Sequence, residues 1–66
     1  MDIAHNLKKI RKEKGLSQAQ VAEALQTTQQ QYSKYEKGIH ELPASRIVAL
    51  CRIFDVSADW LLGLKE

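Results

Sequence analysis

The sequence predicts an all-α domain of five short helices, and three observations carry the prediction. Two helix starts are written out eleven residues apart, Ser17 with Gln20 and Thr28 with Gln31. In each, a hydroxyl can accept from first-turn N–H groups while a glutamine three residues on reaches back. Apolar residues recur at helical spacing around these starts, first Ile3, Leu7 and Ile10, then Val21, Leu25, Tyr32 and Tyr35. Only three glycines and one proline interrupt the 66 residues, and no credible strand appears.

The first helix is expected from Asp2, as its N-cap, to Lys14, with Gly15 supplying the left-handed residue that stops it. Leu16 then packs as a staple before Ser17. The second helix covers Ser17 to Leu25 and the third Thr28 to Lys37, with Gly38 just past its end. Gln26-Thr27 is long enough only for a sharp corner, and Ala22 is small enough to let two helix axes approach. That pairing is a helix-turn-helix. Pro43 sets the backbone angle for a fourth helix that turns Ile47, Leu50, Cys51 and Phe54 to the core and ends at Asp55-Val56. Ser57 caps a last helix with Asp59 at its positive end, and Gly63 terminates it after Trp60, Leu61 and Leu62.

Sixty-six residues make one domain, with a core over about 3–62 and a short tail at 63–66. Apolar residues at 44% and charged residues at 27% are ordinary globular values, which argues against disorder. The single Cys51 excludes an internal disulfide and any multi-thiolate zinc site, and its apolar surroundings suit a small buried hydrophobe in a reducing cytoplasm. No apolar leader precedes the N-terminal charges, and no run approaches the roughly 18 apolar residues of a membrane span. A soluble cytoplasmic protein is expected. Residues 1–38 carry seven Lys/Arg against four Asp/Glu, whereas 39–66 carry three against four, so the positive charge sits in the first half. Lys8, Lys9, Arg11, Lys12 and Lys14 form one run there, and Lys9 and Lys12 can add long-range attraction for a polyanion.

Several short pieces carry a family resemblance: Leu16-Ser17-Gln18, Val21-Ala22 with Leu25, Tyr35-Glu36-Lys37-Gly38, and Asp55-Val56-Ser57-Ala58-Asp59-Trp60-Leu61-Leu62. Each is weak alone, but their order and spacing from about Leu7 to Leu62 are specific. The chain resembles the phage-repressor (Cro/C1, also called Xre) class of helix-turn-helix DNA-binding proteins, and Thr27-Thr28-Gln29-Gln30 looks like the corner and recognition-helix start of a lambdoid repressor. The resemblance implies a compact five-helix, lambda-repressor-like domain that binds a double-stranded DNA operator as a homodimer. It also implies a phosphate contact from Gln18 and an ion pair between Arg11 and Glu36 that holds the recognition helix at its angle. Two positions depart from the family. Gln26 stands where glycine is usual at the corner, at a cost of roughly 1 kcal/mol for a left-handed residue. Tyr32 stands where Ile or Val is more frequent, so its ring either enters the core with its hydroxyl satisfied or tilts toward the DNA, and the core is expected.

In this motif the second helix lies in the major groove with its N-terminal residues against base edges. The base-reading candidates are therefore Thr28, Gln29, Gln30 and, one turn later, Ser33 and Lys34. A glutamine amide matches the donor and acceptor of adenine, lysine matches the two acceptors of guanine, and the threonine methyl can meet a thymine methyl. Gln18, Lys37 and His40 are the phosphate-contacting candidates, raising affinity without selecting sequence. One helix reads too few base pairs for genomic specificity, so two copies across a palindrome are expected, with Trp60, Leu61 and Leu64 as the candidate self-association surface and Leu61 and Leu64 as its exposed members. Repression by steric blocking is the simplest outcome. An enzyme is not expected: His5 and His40 lie on different segments, and no HExxH, P-loop, GxSxG or paired-cysteine spacing is present. No metal, cofactor or small-molecule ligand is implied. The alternative is a protein-interaction module such as an antitoxin that neutralises a partner protein.

Overall fold

The computed structural model describes residues 3–64. It contains α1 (Ile3–Glu13), α2 (Gln18–Ala24), α3 (Gln29–Glu36), α4 (Ala44–Phe54) and α5 (Ala58–Leu61), with no strand among the described residues. The expected cap at Asp2 lies outside them. Ser17 accepts from the Gln20 N–H at 3.0 Å while the Gln20 side chain accepts from the Ser17 N–H at 2.8 Å, completing the first capping box. Thr28 accepts from the Gln31 N–H at 3.1 Å, so the second box is made in its first half only. Ser57 caps α5 through the Trp60 N–H at 3.1 Å. Pro43 takes the cap position of α4 with φ −64° and offers no side-chain bond.

Every helix stops at a residue in the left-handed region: Gly15, Gln26 (φ 62°), Gly38 (φ 73°), Asp55 (φ 56°) and Gly63. The next N–H then folds back five residues, as in Thr27 to the Ala22 carbonyl at 2.9 Å and Val56 to the Cys51 carbonyl at 3.0 Å. The corner between α2 and α3 therefore has the shape that glycine would favour, with a glutamine in it.

Each helix contributes at least one fully buried side chain: Leu7, Val21, Tyr32, Leu50 with Phe54, and Leu61. α2 packs on α3, α1 on α3 and α5, and α4 on α5. Burying a large side chain of this kind stabilises by about 1.5–3 kcal/mol, so this shared centre supplies most of what holds α3 in place. Asn6 is the buried polar residue of the centre; its amide donates to the Leu61 carbonyl at 3.2 Å and the Trp60 carbonyl at 3.4 Å, which fastens α5 to α1.

That fastening corrects one expectation. Leu61, expected on an exposed self-association surface, is fully buried. With Asn6 holding the carbonyls of Trp60 and Leu61, the phase of this four-residue helix turns Leu61 inward and leaves Leu62 and Leu64 outside. Trp60 is half-buried against the core.

Candidate nucleic-acid interface

α3 divides along its length into two chemically different faces. Tyr32 and Tyr35 point into the protein, edge to face with centroids 6.4 Å apart. Helical spacing then sends Gln29, Gln30 and Lys34 to the exterior, with Ser33 half-buried between the faces. Those four residues line one open groove of about 630 Å³ with Gln18 from the start of α2 and with Lys37 and Ile39 from the end of α3. Thr28 is exposed at the cap of α3 and lies outside that lining. His40 is exposed too but lines a different cleft, of about 360 Å³, with Tyr35, Leu42 and Ile47. Four of the five base-reading candidates and two of the three phosphate candidates thus share one groove.

Behind the groove sits an ionic network that sets the orientation of α3. The Arg11 guanidinium donates from Nε to Glu36 Oε2 at 2.6 Å, from Nη2 to Glu36 Oε1 at 3.1 Å, and from Nη1 to the Leu16 carbonyl at 2.9 Å. The two side chains are only 11% and 3% exposed, so the pair works largely out of water, where a two-pronged bond is directional and strong. Gln18 Nε2 donates to Glu36 Oε1 at 3.1 Å, tying the start of α2 to the end of α3 and leaving one amide hydrogen for another acceptor.

Charge states follow from these contacts. Desolvation is the strongest single influence on Glu36 and opposes ionisation, but the hydrogen bonds from Arg11 and Gln18, with the Tyr32 hydroxyl close by, together outweigh it and hold the carboxyl below its ordinary range. The hydrogen bond to Glu36 raises Arg11, against the lesser pull of burial. Burial pushes the Tyr32 phenol far above its ordinary value, with Glu36 beside it acting the same way. Tyr32 occupies the core as expected. Its hydroxyl is not satisfied as expected, because it lies beside the ion pair without a well-formed hydrogen bond to it. Arg46, on α4, stacks 6.0 Å over the Tyr35 ring and braces the buried face of α3 from the other side.

Arg46, Asn6 and Ile39 were absent from the sequence expectations. The first two depend on which helices meet, which local spacing does not encode. Ile39 carried a faint signal, an aliphatic residue directly after a helix-ending glycine. Among the described residues, no group of His, Cys, Asp and Glu is placed to hold a metal ion, and no helix is long and apolar enough to cross a membrane.

The sequence model of the helix-turn-helix family matches residues 7–61. An uncharacterized HTH-type transcriptional regulator of Rickettsia prowazekii is 37% identical over 97% of this chain and 50% of its own length. The SPbeta prophage-derived uncharacterized HTH-type transcriptional regulator YonR of Bacillus subtilis is 45% identical over 85% of this chain and 52% of its own. The HTH-type transcriptional regulator ImmR of the same organism is 30% identical over the whole chain and 52% of its own length. The chain spans about half the length of the curated relatives it matches.

Proposed function

The chain belongs to the Cro/C1-type helix-turn-helix family of DNA-binding transcriptional regulators, and from that premise we propose that it represses transcription by occupying a palindromic operator as a homodimer. α3 enters the major groove. Thr28, Gln29, Gln30, Ser33 and Lys34 read base edges, while Gln18, Lys37 and His40 meet the flanking phosphates. Gln18 is suited to that task by the amide hydrogen left over from its bond to Glu36, and by the positive N-terminal end of α2.

The observation that carries this reading is the pair of exposed amides at Gln29 and Gln30 on the first turn of a helix whose opposite face is immobilised by Tyr32, Tyr35 and Glu36. A flexible polar helix would gain little from presenting those amides, because ordering them would consume the discrimination they provide. Self-association falls to the outward leucines of the C-terminal end, Leu64 (73% exposed) and Leu62, with Trp60 beside them in the chain. Two copies then place their α3 helices about one DNA turn, roughly 34 Å, apart.

Selection from a random duplex library tests all parts together. The expected product is an inverted repeat with half-site centres about one helical turn apart; recovery of no enriched sequence at low salt overturns the reading, and an unrepeated half-site overturns its dimeric part.

A further inference from the structure

Ile39 is out of character with its surroundings. Among the described residues it is the one apolar side chain lining the α3 groove, beside Lys34 and Lys37, and it remains 64% exposed. It is not among the residues packed against the core, so it adds almost nothing to the fold. Its position is nevertheless firmly set. The Ile39 N–H donates to the Lys34 carbonyl at 3.0 Å, closing the last turn of α3, and the left-handed Gly38 delivers the chain to the groove edge. A β-branched side chain on a pinned backbone has few rotamers to lose when it is covered.

The other groove residues offer hydrogen-bond donors and acceptors, which match base edges and phosphates. Isoleucine offers neither. The apolar feature of a base edge in the major groove is the thymine C5-methyl group. We propose that Ile39 is a specificity-determining residue that takes a thymine methyl at the edge of each half-site, beyond the bases met by Gln29 and Gln30. The inference rests on DNA binding through α3 and adds to it a base preference that no hydrogen bond supplies.

The test is a thymine-to-deoxyuridine scan, which removes one methyl at a time from the duplex recovered by selection, read with the wild-type chain and with Ile39→Ala. One thymine per half-site is expected to lose about three- to five-fold in affinity for the wild type, the effect of desolvating a single methyl group, and to lose nothing further in Ile39→Ala. Thymines met by other residues, such as Thr28, respond alike in both proteins. Ile39→Ala weakening every duplex equally, with no thymine whose response depends on residue 39, overturns the proposal in favour of a sugar contact. Unchanged binding by Ile39→Ala overturns it as well. A wild type that binds no duplex fails earlier, at the DNA-binding reading itself, so the two failures are distinguishable.

Discussion

The two faces of α3 are built on opposite principles. The inner face is engaged within the protein: Tyr32 and Tyr35 are buried, Arg46 stacks on one ring, and Glu36 receives bonds from Arg11 and Gln18. The outer face has its amides and ammonium groups at the surface, in an open groove that no other described residue fills. What the contrast teaches is a division of labour. Residues that aim the helix are distinct from the base-reading candidates, and Gln18, a phosphate candidate, both touches the aiming network and opens onto the groove.

The largest expected effect comes from breaking the inner face alone. Arg11→Met leaves a buried carboxylate without its counter-charge and should lower the unfolding free energy by about 3 kcal/mol in urea denaturation. Arg11→Met combined with Glu36→Leu should recover most of that loss, since the stranded charge is gone; equal losses in single and double variants would show that the pair is not what matters. The same pair gives a pH dependence of definite sign. Because Glu36 is held below its ordinary range, its contribution is fully present at neutral pH and is lost as pH falls through and below the usual carboxylate range. The melting temperature of the wild type should therefore drop across that acid window more steeply than that of Glu36→Gln.

The outer face should respond in affinity and not in stability. Gln29→Ala is expected to cost roughly 1–3 kcal/mol on the selected duplex and to relax one base pair, with an unchanged melting temperature. Lys37→Ala should weaken selected and random duplexes alike and reduce the salt slope by about one. If Gln29→Ala weakens random DNA just as much, its side chain does not read bases. The smallest effect belongs to the corner. Gln26→Gly relieves roughly 1 kcal/mol of left-handed strain but adds chain entropy, for a net gain near 0.5 kcal/mol measured by thermal unfolding, with operator affinity untouched.

How much of this was legible before the structure depends on the range of the interaction. Ser17, Thr28, Ser57 and the helix-ending residues act on neighbours within a turn, so the five helices could be placed from spacing and cap chemistry. The outward placement of Gln29, Gln30 and Lys34 followed from the helical repeat once Tyr32 and Tyr35 were assigned inward. The Arg11–Glu36 pair, 25 positions apart, came from family resemblance and not from local pattern. Leu61 was misplaced because α5 is barely one turn long, too short for periodicity to choose among adjacent leucines, and the choice is made by Asn6 from 55 positions away. Gln18 was expected to face phosphate, and its bond to Glu36 emerged only with α2 and α3 side by side.

The Asn6 bridge also bears on how the domain comes into being. A nascent chain that has emerged only through α3 already contains every base-reading candidate, yet Leu61 and the carbonyls that receive the Asn6 amide are still unsynthesised. At that stage the Arg11, Gln18 and Glu36 contacts lie within α1–α3, but Leu50, Phe54 and Leu61, which complete the buried centre behind α3, are still missing. Products truncated before α5 therefore carry every base-reading candidate on an incomplete core and are expected to bind duplex DNA more weakly than the 66-residue chain.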